Sequence, residues 1–521
     1  MFSMKKSKFL PILSIVIFFI QLIAEALSLV MILRLNMLPQ KYTVLLIAVY
    51  VLGLLVTGLL IFPKPKRDRK GAVRRVAAIF LALLITGLSI FAFTVVKQVW
   101  DTMHSITETP NQEGPTRQVF VLTDDPAQTL QDARDYTFGI VENYDVENTQ
   151  GAILAIEQQL GQSIQTVSYM NVYEMVNGLY SGTCQAMILN GGYVSILENE
   201  AQFVDFSEKT RILCDVVVLP VQNQEPTQEP ETTEPTEEPT QEPTQEPTEP
   251  LSITERPFIM YISGSDTRSS RLSVGNSDVN ILVVVNPVTK QVLMVNTPRD
   301  YYIPNPAGNG ELDKLTHCGI YGIDCSIEAL SDLYEIEIDY YSQINFTGFE
   351  TLVDAVGGIV VSSPVSFTSG NVTINKGENY LTGKEALAFA RERYQMPGGD
   401  YGRGQNQMKV IEAIINKVTS GTTIITNYAQ ILDSLQGMFV TSMEISEISQ
   451  LMKMQLSDMA KWEIYSYAVR GENGRAITYS IPGLYASVMF QDQGRIDYGT
   501  ELINRVMAGE VIGKLDVQYP G

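Results

Sequence analysis

Three long apolar runs, Phe9–Leu33, Tyr42–Phe62 and Val76–Val96, constrain this chain more than any other feature of it. Each has the roughly 20 residues needed to cross a hydrocarbon core, and in lipid such a segment satisfies its own backbone polar groups only as a helix. They predict three transmembrane helices within residues 1–100. A cleaved leader would be shorter and would not be followed by two further spans. Lys5, Lys6 and Lys8 precede the first run, and Lys64, Lys66, Arg67, Arg69, Lys70, Arg74 and Arg75 crowd the second loop, whereas the first loop holds only Arg34 and Lys41. This asymmetry places the N-terminus and second loop in the cytoplasm and everything after about residue 100 outside the cell. Glu25 falls within the first run, where a carboxyl either marks a functional site or pairs and snorkels.

The remainder divides by composition. Residues 118–221 alternate short β-rich runs (QVFVL, FGIV, IQTVSY, CQAMIL, CDVVVLP) with amphipathic stretches at Thr149–Leu160 and Asn171–Leu179, predicting a small α/β domain. The stretch YEMVNGLYSGTCQAMILNGGYVSIL resembles the lobe of an extracellular solute-binding protein, but carries no ligand-binding residues that mark a sensor over a spacer. Residues 222–250 are a Pro/Glu/Thr repeat that cannot bury a core, and as extended polyproline-II would reach on the order of 90 Å. Residues 253–520 carry the chemistry. Strands are expected at Pro257–Ser263, Val279–Val285, Gln291–Thr297, Tyr340–Asn345, Gly358–Val361 and Glu463–Ala468. Helices are expected at Ser326–Tyr334, Phe346–Val356, Gly383–Arg391, Gln405–Val418, Ser446–Leu456 and Tyr498–Met507. A hairpin among mixed elements predicts an α/β/α sandwich with a mixed sheet.

With two histidines and four cysteines, the chain suits neither a zinc site nor histidine-based catalysis, and a net charge of −21 excludes nucleic acid as a natural partner. Against that acidity, FARERYQMPGGDYGRGQNQ (389–407) brings Arg391, Arg393 and Arg403 together around a Pro-Gly-Gly turn, followed by Gln407. Guanidinium groups match carboxylate or phosphate oxygens in pairs and stay charged. The stretch is either a solvated turn with Glu392 or Asp400 pairing, or a clamp for a dianion. Arg391 and Arg393, two apart, cannot share one face of a regular helix, so both grip a ligand only if the helix ends between them.

The hairpin centred near Val288 sets Asp278, at the start of its first strand, opposite Pro298 and Arg299, with Asp300 beside them. A first strand running parallel to the second hairpin strand delivers Asp266 to the same edge. Asp266 and Asp278 are hard oxygen donors that suit Mg²⁺ or Mn²⁺ bound jointly with phosphate oxygens. Cys318 and Cys325 fall outside the cell with Gly319 and Gly322 between them, leaving a local disulfide or two free thiols open, and Cys184 and Cys214 present the same choice.

GSDTR (264–268), SDVNILVVVNP (277–287), TPRD (297–300), DKLTHCGIYG (313–322) and the RERY…GGDYGRGQNQ block together resemble the LytR-CpsA-Psr family over essentially all of residues 253–520. The resemblance implies a phosphotransferase of a Gram-positive cell membrane. Such an enzyme moves a teichoic acid or capsule-like glycopolymer from undecaprenyl-pyrophosphate to peptidoglycan, with a divalent cation present. It further implies that Asp266 and Asp278 hold the metal, one of them acting as base. Arg299, Lys314, Arg391, Arg393, Arg403 and Gln407 would grip the pyrophosphate, and Asp300 would orient its neighbours. Asn276 stands where many members have arginine before Ser-Asp, and Asn406-Gln407 replaces the commoner Arg-Gln pair. A pyrophosphatase acting on the same lipid, and a non-catalytic envelope sensor or regulator, are the competing readings.

Overall fold

The structure is a computed structural model that describes residues 9–62, 69–107, 116–142, 145–198, 200–219, 251–265, 272, 275–419, 431 and 434–520. Asp266, the Pro/Glu/Thr repeat and Lys64, Lys66 and Arg67 of the second loop lie outside them.

Three helices open the chain: α1 (Phe9–Leu35), α2 (Gln40–Ile61) and α3 (Arg69–Thr107). All three are long and apolar enough to cross a membrane, over Leu10–Leu35, Gln40–Ile61 and Val73–Thr107. Glu25 is buried between them, its Oε1 accepting from Gln21 Nε2 at 2.8 Å. The third helix runs past the predicted end of its span. Its last turns carry Val99, Met103 and Ile106, which with Leu35 and Met37 pack on Phe439, Ile445, Ile448 and Met452 of the C-terminal unit. Arg34 stacks 4.3 Å above the Trp100 ring, and Lys453 Nζ donates to Asn36 Oδ1 at 3.1 Å. The membrane helices therefore seat the C-terminal unit directly.

The accessory unit is a five-stranded mixed sheet in the order β3-β2-β4-β1-β5. Its elements are β1 (Thr116–Leu122), β2 (Thr137–Val141), α4 (Val146–Leu160), β3 (Gln165–Tyr169), α5 (Val172–Ser181), β4 (Ala186–Leu189), α6 (Tyr193–Glu198), α7 (Phe206–Lys209) and β5 (Thr210–Val217). Strands β2, β3 and β4 are parallel, and β1 runs antiparallel between β4 and β5.

The C-terminal unit is built on a six-stranded sheet, order β16-β11-β6-β7-β8-β17. Its first half comprises β6 (Phe258–Ser265), β7 (Ser277–Asn286), β8 (Gln291–Asn296), β9 (Tyr302–Pro304), β10 (Leu312–Lys314), α8 (Leu315–Cys318), α9 (Ile323–Tyr334), β11 (Tyr340–Asn345) and α10 (Phe346–Ala355). Short strands β12 (Ile359–Ser363), β13 (Phe367–Ser369), β14 (Val372–Ile374) and β15 (Gly377–Leu381) lead to α11 (Gly383–Arg391) and α12 (Asp400–Thr419). Then come β16 (Phe439–Thr441), α13 (Ile445–Asp458), β17 (Glu463–Ala468), β18 (Gly471–Thr478), β19 (Ile481–Gln491) and α14 (Gln493–Met507).

The β-branched run of β7 is buried on both faces, as a central strand must be. Leu282 and Val284 meet α9 and α14 through Leu330, Leu502 and Val506, while Ile281 and Val283 face Met408 of α12 and Trp462. Helices thus cover both sides, giving the predicted α/β/α sandwich. The hairpin β7–β8 turns on Asn286, whose Oδ1 accepts from the Val288 and Thr289 amides at 3.1 Å. Strand β6 pairs antiparallel to β7 and so runs in the same direction as β8. The hairpin Gly471–Gln491 gave no alternating pattern in the sequence, and its solvent-facing strands explain why.

All four cysteines are free. Cys318 and Cys325 do converge, because the turn at Gly319–Gly322 folds α9 back beside α8. The neighbouring Cys325 thiol and burial push the Cys318 thiol well up, and Cys325 Sγ donates to Asn305 Oδ1 at 3.3 Å. Cys184 lies just before β4 and Cys214 on β5, strands that the intervening β1 separates.

Candidate functional site: an arginine-lined head on an apolar cavity

Strand register creates the polar end of the site. Ser265 pairs with Ser277, so β6 ends where β7 begins, and Asp278 is the next residue along. Thr297 donates its amide to Asn280 O at 3.0 Å, which brings the Pro298–Arg299 turn across from Asp278. Arg299 Nη1 then donates to Asp278 Oδ1 at 2.8 Å. Beneath this pair Tyr261, Ser263, Ser277 and Asn280 form a buried hydroxyl–amide network, including Tyr261 OH donating to Asn280 Oδ1 at 2.6 Å. These network residues lie inside a run that reads as plain strand, so nothing in the pattern singled them out.

Behind Arg299 stands Asp300, 3.9 Å from Arg299 Nε and 3.3 Å from Lys314 Nζ. Burial opposes the charge on Asp300, but Lys314 and Arg299 outweigh it and hold the carboxyl below its ordinary value. Burial likewise opposes the charge of Arg299, and the carboxylates of Asp278 and Asp300 reverse that effect and raise it. Arg299 Nε is nevertheless buried without a hydrogen-bond partner.

The helix α11 ends at Arg391, where Glu392 turns extended at ψ 125°, and this break resolves the spacing of Arg391 and Arg393. Gly398 and Gly399 take φ of 84° and 59°, a left-handed turn that only glycine adopts freely, and the chain re-enters α12 at Asp400. Arg391 stacks 4.6 Å above the Phe346 ring, and Arg393 sits 4.6 Å above that of Tyr394. Arg403, buried one turn into α12, is held by Asp400; burial lowers its pKa more than that carboxylate restores. Gly404 admits no side chain, since a Cβ there would lie 2.3 Å from Asn296 Oδ1.

Asp278, Arg299, Arg391, Arg393, Arg403 and Gln407 all line one cavity of about 1260 Å³. Asp300 and Lys314 do not; they brace Arg299 from behind. Glu350, Asn371 and Lys384 add polar lining that sequence reasoning did not single out. From this head the cavity runs between the sheet and α10–α13 over Met260, Val283, Leu352, Ile415 and Trp462, reaching Met443, Leu451 and Met452. Phe439 and Met452 of that far wall are the residues that pack on the membrane helices. No cluster of three or more histidine, cysteine or carboxylate side chains able to hold a metal exists among the described residues. The lining contains no histidine or cysteine, so any cation it takes must be one that accepts oxygen donors such as Asp278.

A sequence model of the LytR_cpsA_psr family matches residues 223–493. The polyisoprenyl-teichoic acid–peptidoglycan teichoic acid transferase TagU of Enterococcus faecalis is 35% identical over 199 residues, covering 38% of this chain and 65% of that protein. The protein of the same name from Bacillus licheniformis is 38% identical over 162 residues, 31% of this chain and 52% of that one. The chain thus spans roughly half to just under two thirds of the length of these curated relatives. Among solved structures, B. subtilis TagV aligns with a TM-score of 0.42 at 24% identity, covering 50% of this chain and 99% of that one. With more than half of its residues matched by the family model, the chain belongs to the LytR-CpsA-Psr family.

Proposed function

We propose that this chain is a membrane-anchored phosphotransferase that moves a wall glycopolymer of the teichoic acid type from a polyprenyl-pyrophosphate carrier to peptidoglycan, on the outer face of a Gram-positive cell membrane. One observation carries the reading: a cavity whose head is lined by four arginines and whose apolar length ends at the seat of the membrane helices. A lipid with a dianionic head matches both ends. The activity for which the TagU relatives are named, transfer of a polyisoprenyl-linked teichoic acid to peptidoglycan, supports the same kind of donor and acceptor.

In this reading Arg299, Arg391, Arg393 and Arg403, with Gln407, bind the pyrophosphate and stabilise charge on the leaving group. Asp300 and Lys314 fix Arg299. An acceptor hydroxyl attacks the glycan-bearing phosphorus, and the bond from that phosphorus to the bridging oxygen breaks. A phosphodiester forms, and polyprenyl monophosphate leaves. The hydroxyl proton passes to a carboxylate, Asp278 or Asp266. Mg²⁺ or Mn²⁺, held by Asp278 together with Asp266, would supply further charge neutralisation at the pyrophosphate.

The test is to incubate the full-length chain in nanodiscs with a lipid-pyrophosphoryl saccharide and a glycan acceptor, then to identify products by mass. A saccharide–phosphate–acceptor adduct with polyprenyl monophosphate is expected. Free saccharide phosphate with unmodified acceptor would show a lipid pyrophosphatase instead. A capsule-like donor consumed in preference to a teichoic acid donor would change the polymer class alone.

A further inference from the structure

Parallel strands of an open α/β sheet ordinarily present their ligand site at the carboxyl edge. In the accessory unit that edge carries Asn190 just after β4, the Gly191–Gly192 turn, and Tyr193 opening α6, beside the buried Arg117–Asp145 ion pair. It is not open to solvent. Asn190 Nδ2 donates to Ile320 O at 2.7 Å, and the Tyr193 and Tyr321 hydroxyls lie 3.1 Å apart. Ile320 and Ile481 are buried within the accessory unit's own apolar core, among Val141, Leu189, Tyr193 and Phe206. A Cβ on Gly192 would come within 3.1 Å of Ile320 Cγ2 and 3.2 Å of Gly275 Cα.

The gripped segment, Gly319–Tyr321, touches the carrier of Asp278, and the turn just before it touches that of Arg299. A Cβ on Gly319 would lie 2.6 Å from Gly275 O and 2.8 Å from Ser277 N, the backbone that leads into Asp278. One turn earlier, the Thr316 amide donates to Arg299 O at 2.8 Å and the Leu315 amide to Tyr301 O at 2.9 Å.

We propose that the carboxyl edge of the accessory sheet is an intramolecular docking site for Gly319–Tyr321, and that through this contact the accessory unit positions Asp278 and Arg299. Asn190 and Tyr193 are positioning residues, and the unit is a brace for the site rather than a receptor for a free solute. This rests on the proposed pyrophosphate site only for its consequence in binding; the docking itself does not.

The test uses the full-length chain in nanodiscs, the docking variants Asn190→Ala and Tyr193→Phe, and the wedge Gly192→Leu, which cannot close on Ile320. Amide hydrogen exchange reads the docking at Leu315 and Thr316, and titration with geranylgeranyl pyrophosphate reads the site. Exchange at those two amides should rise about tenfold in Gly192→Leu and affinity should fall about three- to tenfold, as expected when a buried hydrogen bond and its packing are lost. The strands of the accessory sheet should keep parent-like protection. Tyr193→Phe, which removes one hydroxyl, keeps the test available if the wedge fails to fold. Parent-like exchange at Leu315 and Thr316 in every variant would overturn the inference, and so would faster exchange with unchanged affinity. If the parent itself does not bind geranylgeranyl pyrophosphate, the proposed function fails, and exchange at the Arg299-bonded amide alone decides the brace.

Discussion

Arg299 donates to Asp278 at 2.8 Å from a guanidinium only 18% exposed, whereas Arg391, in the same cavity wall, rests on the Phe346 ring. The two arginines face one proposed ligand but differ in what they do for the empty fold.

Arg299→Ala leaves Asp278 partly buried without its partner and should therefore destabilise the unliganded protein by about 2–4 kcal/mol, a little below the cost of breaking a fully buried pair. Arg391→Ala removes an exposed side chain and should shift stability by less than about 0.5 kcal/mol. Thermal unfolding of both variants checks this. Equal losses would mean that Asp278 finds another partner.

Asp313 is expected to contribute to the acid limit of the unit. It is fully buried; His317 Nδ1 lies 2.6 Å from its Oδ1, and its Oδ2 accepts from Asn305 Nδ2 and the Ser480 amide, both at 3.1 Å. Burial opposes its charge, but His317 and these hydrogen bonds win and hold its pKa below the ordinary 3.8. A carboxyl lowered on folding contributes stability that is complete above pH 3.8 and is lost as pH falls through its folded value. The melting temperature should drop below about pH 4, and Asp313→Asn should flatten that fall while lowering stability at neutral pH. An unchanged acid limb in the variant would assign the loss to other carboxylates.

The cavity's length should select chain length. Ile415 lines its apolar part on α12. Ile415→Trp should lower affinity for a long prenyl pyrophosphate by about tenfold and leave a farnesyl head group nearly unaffected, because a few buried CH₂ groups at about 0.8 kcal/mol each are enough for that factor. Equal weakening of both ligands would place the tail elsewhere.

How far the sequence could be read differs between frame and site. The strands β7 and β8 were legible because β-branched runs bounded by Asn286-Pro287 and Pro298 specify them, and the hairpin register then followed from its turn; β11 and β17 were legible as short tyrosine-rich runs. Arg391 and Arg393 were legible as a pair, but their joint access depended on where α11 ends. That boundary falls where Glu392 leaves the helix for extended backbone ahead of the glycine turn at Gly398–Gly399, and the arginines do not set it. The buried network around Tyr261 and Asn280, and the docking of Asn190 on Ile320, were invisible because contacts between residues so far apart leave no local period. The extension of α3 to Thr107 was missed for a related reason: its last turns are apolar toward a protein surface and polar elsewhere, so a hydropathy window ends early.

The metal assignment makes its own prediction. If Asp278 holds Mg²⁺ with Asp266, prenyl-pyrophosphate affinity should rise with Mg²⁺ in the parent, and Asp278→Asn should remove most of that dependence. The same Mg²⁺ response in the variant would leave Asp278 as a partner of Arg299 alone.

The arginine-lined head and the apolar cavity are proposed to form one site for a lipid pyrophosphate. Calorimetric titration of the full-length chain with a prenyl pyrophosphate, comparing the parent with Arg391→Ala, tests it most directly. The account predicts saturable binding to the parent and a loss of about 1.5–3 kcal/mol in the variant, the range for a hydrogen bond to a charged group. Parent-like affinity in Arg391→Ala would contradict it.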